Sequence, residues 1–276
     1  MTSIPPVRIT RDLRLMIASA LDDGAAADHL RAITGLAGLA QGRVDECRFA
    51  CANAEDSADR ARNALAGVFL AANATHLVLV DGAIGFDPAA LLDVIDLMQG
   101  DQSLAIMFAP CTARQINWTL VAAASANGVG AGNPAELARF GGHFGLDFVD
   151  PSAGIRLDQP VELAGAEAGL MVIRRDVIET LRQRHPEVRY TPEPQDAEAG
   201  ALGESLYALF QSTIDPANGR LLSGTMLFCY RARAAGFRLW LAPWLRTSNT
   251  GTARFAGSLA DLAHLEPTSS ARTCVS

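Results

Sequence analysis

Lysine is missing from this chain: all 23 basic residues among its 276 are arginine. That excludes a phosphate-loop lysine, a Schiff-base lysine for pyridoxal phosphate or aldol chemistry, and a lysine general base. Alanine, arginine and glycine are frequent, which points to GC-rich coding as the origin of the bias. Positive charge is also short overall. A net charge of −7 argues against a nucleic-acid partner, because a duplex binder carries a basic face. The five cysteines are odd in number and scattered (Cys47, Cys51, Cys111, Cys229, Cys274), as expected of reduced cytoplasmic thiols rather than a disulfide framework. Cys47 and Cys51 are four apart, but His29 is the only histidine near them, so no zinc spacing results. Long apolar runs are missing too. The N-terminal stretch has no signal-peptide core, and the most apolar stretch, Leu65 to Val80, is broken by Asn73 and His76. No transmembrane segment is expected, and the expected location is cytoplasmic.

Strands and helices alternate along the chain. Leu13 to Ala18 and Glu46 to Ala50 read as strands, and Asp22 to Gln41 between them has helical spacing at Leu30, Ile33, Ala37 and Ala40. Ala61 to Ala72 places Leu65, Val68, Phe69 and Ala72 on one helical face. His76 to Val80 is a continuous apolar strand ending at Asp81, the kind that is covered on both faces in a parallel sheet. Asp87-Pro88 starts a helix with a capping carboxylate and a proline at its first position, and Leu104 to Ala109 is the next strand. From Ser125 to Pro160 the composition shifts to Gly, Ala, Asn and Pro, which reads as an excursion of loops and short ribbon. Gly169 to Ile173 resumes the sheet, and Asp176 is expected to cap a short helix through Leu181. Pro186 to Gly203 reads as a surface loop. Helices are expected at Ser205 to Ser212 and Ser223 to Gly236, a last strand at Phe237 to Ala242, and a disordered tail after Pro267. The expectation is an α/β fold with a mostly parallel central sheet and helices on both faces. One domain over 1–266 would hold a nucleotide-binding half at about 10–120 and an acceptor-side half at about 121–266.

Three stretches could carry chemistry. In THLVLVDGAIGFDP (75–88), Asp81 leaves the carboxyl end of a strand, where open α/β sheets bind ligands, beside Gly82 and Gly85. In SADRARNALAGVFL (57–70), Arg60, Arg62 and Asn63 sit at a helix N-terminus whose free N–H groups and dipole favour anions. The third stretch, 219–259, couples a helix, a strand carrying Trp240 and the polar loop Arg246-Thr247-Ser248-Asn249-Thr250-Gly251.

The order of these segments resembles a glycosyltransferase of the GT-A fold, of the bacterial family-2-like and mannan-polymerase-subunit-like group. That group has a stretch similar to SRARNxLVAxFL-xxxATHLLFIDADIGFDP, then YPKKxIDW-, GFMLIRR-, LSEDYxFCRRWRxLGG- and WxDPxxxxxHxG-like segments. This chain matches with SADRARNALAGVFL-AANATHLVLVDGAIGFDP, FAPCTARQINW (108–118), GLMVIRRDV (169–177), LLSGTMLFCYRARAAGFRLWLAP (221–243) and TSNTGTARFAGSL (247–259). The resemblance runs from about Leu13 to Leu259. It implies a nucleotide-sugar donor and a glycan or lipid-linked acceptor, with Arg60, Arg62, Asn63, Asp81, Gly82, Ala83, Arg114, Trp118, Thr225, Arg246 and Asn249 on the substrate side.

The departures are as informative as the matches. The family's cation-binding DxD keeps Asp81 but has Ala83 in place of its second acid. The Glu-Asp pair of the SED segment falls on Gly224 and Thr225, and the histidine of the HxG loop falls on Asn249. The basic pair before the IDW-like segment falls on Thr112 and Ala113, leaving Arg114 nearby. Codon bias exchanges lysine for arginine, and neither residue is arginine. Each lost electrostatic stabiliser costs about 2.7–4 kcal/mol of transition-state binding, and one carboxylate is a poor site for an ion that wants several oxygens. No metal and no resident cofactor are therefore expected. Arginines would stand in for the cation, and a displaced acid, Glu167 or Glu204, would serve as base beside Asp81. The competing expectation is a pseudoenzyme that works as a binding subunit, beside an active homologous glycosyltransferase or as a homodimer. A dinucleotide-binding fold is excluded, since no G-x-G-x-x-G follows the first strand.

Overall fold

Apolar runs too short for helices and too continuous for surface strands make the centre of the protein. The computed structural model describes residues 12–22, 25–54, 57–152, 155–167, 169–192 and 206–251. Its first half runs β1 (Arg14–Leu21), α1 (Ala27–Ala40), β2 (Glu46–Asn53), α2 (Ala58–Ala71), β3 (His76–Asp81), β4 (Ile84–Phe86), α3 (Pro88–Gly100) and β5 (Ile106–Phe108). Next come α4 (Trp118–Ala126), a 3₁₀ segment (Pro134–Phe140), β6 (Gly145–Phe148), β7 (Val161–Glu167), β8 (Leu170–Arg174) and α5 (Arg175–Arg184). The last part holds β9 (Arg189–Tyr190), β10 (Leu206–Tyr207), β11 (Thr213–Ile214), β12 (Leu221–Leu222), α6 (Gly224–Ala234), β13 (Leu239–Leu241) and β14 (Thr247–Asn249).

Eight strands form one sheet in the order β2-β1-β3-β8-β5-β13-β7-β6. Pairing is parallel for β1 with β2 and β3 and for β5 with β13, and antiparallel wherever β8 or β7 takes part. Only β7 and β8 therefore run against the other six, and the sheet is mostly parallel as expected. Alternate residues of β1 divide the core: Met16 and Ala18 pack towards α2, α5 and α6, while Leu15 and Ile17 pack towards α1 and α3. Helices thus cover both faces.

Local chemistry sets the helix ends. Ser57 caps α2 by accepting from the Arg60 N–H, Asp87 caps α3 through Ala89 and Ala90, and Ser223 caps α6 through Met226. The Arg175 guanidinium closes the C-terminus of α2, donating to the carbonyls of Leu70 (2.8 Å) and Ala72 (2.7 Å).

Two expectations fail. The segment expected to be a helix from Ser205 is, from Leu206 on, a two-residue strand and then coil, because Leu206, Leu209 and Phe210 all turn into the core. Asp176 does not cap α5: the helix starts one residue earlier, and Asp176 pairs instead with Arg174 (2.6 Å). A helix with no counterpart in the sequence reading, α4, leads into the excursion and ends at Ala126. Glu204, Phe255, Cys274 and the tail lie outside the described residues. Among the described residues, no helix is long and apolar enough to cross a membrane.

Candidate functional site

The carboxyl end of β3 opens towards a cavity of about 410 Å³. Its walls come from distant parts of the chain: Asp81, Ala83 and Ile84; Cys111, Thr112, Ala113 and Arg114; His143 and Gly145; Glu167 and Gly169; and Asn249. Two short pairings bring these together. Antiparallel β4 and β14 set Asn249 opposite Ile84, and the Thr250 N–H donates to the Ala83 carbonyl (2.9 Å). The stretch 112–144, which contains α4 and the 3₁₀ segment, closes on itself through a Thr112–Phe144 bridge and an Ala113 N–H to His143 carbonyl bond (2.7 Å).

Beneath the cavity floor, His29 of α1 ties these pieces together. Its Nδ1 is 3.1 Å from the Ile84 carbonyl, and its Nε2 is 3.1 Å from Ser19 Oγ. A carbonyl can only accept, so Nδ1 carries the proton and Nε2 accepts from the serine. Burial lowers the His29 pKa, in keeping with a neutral ring.

Asp81 has a partner. Arg62 Nη2 donates to both of its carboxylate oxygens at 2.9 Å, and Arg62 Nη1 lies 3.7 Å from Asp59 Oδ1. Burial pushes the Asp81 carboxyl above its ordinary value, and the Arg62 guanidinium draws it back only in part. Gly169 makes room for this arrangement, since a Cβ there would stand 3.1 Å from Asp81 Oδ2 and closer still to Ile84. On the opposite wall, Arg114 Nε approaches Asn249 Oδ1 (3.4 Å) and its Nη2 approaches Asp22 (3.3 Å), while Asn249 Nδ2 donates to the Thr112 carbonyl (2.7 Å). Glu167 accepts from Ser223 Oγ at 2.6 Å. The Cys111 thiol, pushed up to about 11 by burial, contributes packing rather than a nucleophile.

This donor set does not suit a divalent cation. Both Asp81 oxygens face a guanidinium, position 83 has no ligating atom, and both ends of the Asn249 amide are engaged. Among the described residues no group of three histidine, cysteine or acidic side chains is placed to hold a metal ion.

Of the residues singled out from the sequence, Asp81, Ala83, Arg114, Glu167 and Asn249 line this one cavity, and Arg62 reaches it through Asp81. Gly82, between Asp81 and Ala83, is buried and bonds through its backbone to Ala20 and Ala26. The others lie elsewhere. Arg60 lines a separate cavity with Ser57, Tyr190 and Gln211. Asn63 is buried and holds both the N–H (2.9 Å) and the carbonyl (2.7 Å) of Phe210, a tether for the segment before β11. Trp118 stands exposed on α4, Thr225 is 2% exposed inside α6, and Arg246 borders a third cavity with Asp28 and Arg31.

Sequence reasoning missed His143 and Asp59. Asp59 occupies the volume beside Gly224: a Cβ on that glycine would overlap its carboxylate, which also accepts from Ser212 Oγ (2.9 Å). The place where the resemblance expects an acid on α6 is filled by an acid from α2. The signal was present in the sequence as an acid next to Arg60 together with a glycine at 224, but nothing in either pattern joins them across 165 residues.

No family model matches the sequence, and a search of curated proteins returns no match. Among solved structures, the chain is similar to A197 from STIV at 10% identity and TM-score 0.44, over 87% of each chain. It is also similar to GalNAc-T7, solved with UDP, GalNAc and Mn2+, at 10% identity and TM-score 0.43. That match covers 86% of this chain and 44% of the other.

Proposed function

We propose that this chain is a glycosyltransferase-family protein of the GT-A kind that binds a nucleotide sugar in the 410 Å³ cavity without a divalent metal. One observation supports this above the rest. Asp81, Ala83, Arg114 and Asn249 fall in separate segments that resemble the family, and they converge with Glu167, a displaced acid, on one cavity at the strand ends. Arg114 is the arginine that lines it, so it would meet the donor diphosphate, whose charge needs neutralising as the sugar bond breaks. Asp81, held by Arg62, would orient the nucleotide. Glu167 is the wall carboxylate without an arginine partner among the described residues, and it would take the proton of a glycan or lipid-linked acceptor hydroxyl. A cytoplasmic setting fits the free thiols of Cys47, Cys51, Cys111 and Cys229.

Titration calorimetry with UDP- and GDP-sugars, with Mn²⁺ and with EDTA, tests the proposal. Equal binding in both conditions is expected. Binding that appears only with Mn²⁺ would overturn metal independence, and no binding at all would remove the nucleotide-sugar site.

A second reading, a binding or partner subunit without turnover, is favoured by the Arg62–Asp81 pairing, which uses both oxygens of the one retained acid. Restoring Ala83→Asp and Asn249→His separates the two readings. Thr225 is left alone because an acid there would be buried. Donor hydrolysis arising in the double variant, with none in the natural chain, identifies the natural chain as the subunit. Hydrolysis in the natural chain identifies it as the enzyme.

A further inference from the structure

One surface remains unexplained by the cavity. Residues 115–135 carry no charge, and within them α4 is apolar around most of its circumference, yet it buries only Ala124. Ile116, Trp118 and Leu120 are 55, 69 and 48% exposed. The main packing partner of α4 is the 3₁₀ segment 134–140, which leaves its outer side open. A helix apolar on all sides is normally covered.

The shape and charge of α4 point to its partner. Trp118, Ala122, Ser125 and Ala126 share one stripe at helical spacing, one bulky residue followed by three small ones. Turned around a two-fold axis at Ala122, a second α4 sets its own Trp118 over Ser125 and Ala126 of the first, so that bulk meets space at both ends. That is the self-complementarity a two-fold interface requires. Electrostatics points the same way: two copies with net charge −7 repel over most of their surfaces, and the uncharged stretch is where they can approach. An anionic bilayer would meet the same repulsion without the fit.

We infer that α4 is the self-association face of this protein, joining two copies through an antiparallel α4–α4 contact centred on Ala122. The contact does not depend on the cavity's ligand. It does fix the cavity wall at Thr112–Arg114 and His143, because the stretch carrying α4 leaves and rejoins the body there.

Light scattering on the whole chain at micromolar concentration should report a dimer, and Ala122→Glu, at the centre of the contact, should convert it to a monomer with an unchanged thermal transition. In a Cys47→Ser, Cys51→Ser background, Ala122→Cys should form a disulfide-linked dimer on mild oxidation. Phe49→Cys, on the exposed edge strand β2, should not. A monomeric natural chain overturns the inference, as does cross-linking through position 49 in place of 122. A chain that is monomeric intact and dimeric after removal of residues 252–276 also overturns it, by naming a different cover for α4.

Discussion

The two ends of β3 each bury a titratable side chain, and their fates differ. At its start, burial lowers the His76 pKa to about 4, helped by the nearby Arg174 charge. Its Nδ1 faces Thr75 Oγ1 (3.0 Å) and Gln99 Nε2 (3.4 Å), and its Nε2 has no hydrogen-bond partner among the described residues. At the strand's other end, burial raises Asp81, but a guanidinium grips the carboxylate and a cavity opens in front of it. The same strand therefore holds a polar group that only costs stability and one that can exchange its partner for a ligand. Burial and a shifted pKa describe both ends. The ion partner and the open space separate them, and these make Asp81 the functional candidate.

The largest effect expected is at the Asp81 end. Arg62→Met leaves a mostly buried carboxylate without its partner, and breaking such a pair costs about 3–5 kcal/mol. The lower figure applies, since the Asp81 side chain keeps 32% of its exposure. The sign with pH follows from the raised Asp81 pKa. Above the ordinary carboxylate value the folded state holds a proton that the unfolded chain has lost, so stability falls as pH rises through that window. Removing Arg62 raises Asp81 further. The loss in Arg62→Met should therefore be full at pH 7 in urea titrations and mostly gone at about pH 4. An equal loss at both values would mean that Asp81 is not the group left unpaired.

The His76 end carries the opposite sign. Its folded pKa of about 4 lies below the unfolded 6.5, so the unfolded chain takes up a proton that the folded chain refuses. Stability should decline as pH falls from 6.5 towards 4, by about 3 kcal/mol at 1.36 kcal/mol per unit. His76→Phe should flatten that limb of the urea-denaturation profile while leaving nucleotide-sugar affinity at pH 7 unchanged. A change in affinity would break the contrast between the two ends.

Gly224→Glu probes the acid that stands between α2 and α6. The new side chain would meet the Asp59 carboxylate, and overpacking of this kind costs about 1–3 kcal/mol. Asp59→Gly placed in the same chain should recover most of the loss in thermal melts, because the two acids compete for one space. Losses that simply add would show that they do not.

The contrast between the ends of β3 was only half visible in the sequence. The apolar run of β3, its terminal aspartate, the helices on either side and the caps at Asp87 and Ser223 all follow from local patterns, and the structure keeps them. Period and capping are short-range signals, so they survive folding. The antiparallel sense of β8 did not show, because its apolar run reads the same in either direction. The segment after Ser205 looked helical because Leu206, Leu209 and Phe210 have helical spacing, yet tertiary burial used all three from an irregular chain. Within the site, Asp81 and Arg62 were each named separately, but their pairing across 19 residues was not, and neither was the Asp59–Gly224 contact. Those are long-range choices of side-chain geometry, and no periodicity encodes them.

The smallest effect concerns the cavity's other acid, and it sharpens the comparison from Glu167's side. Glu167 has a serine where Asp81 has an arginine. Ser223 Oγ accepts from the Met226 N–H (3.1 Å), and its single hydroxyl proton goes to Glu167 Oε1 (2.6 Å), so one side chain both caps α6 and aims the carboxylate. Ser223→Ala should cost about 1 kcal/mol, the usual price of a lost cap. Ser223→Asp should restore the cap but set one carboxylate against another. If the serine only caps, the aspartate variant recovers both thermal stability and nucleotide-sugar affinity. If it also aims Glu167 into the cavity, stability returns while affinity, or turnover where there is any, stays at the alanine variant's level.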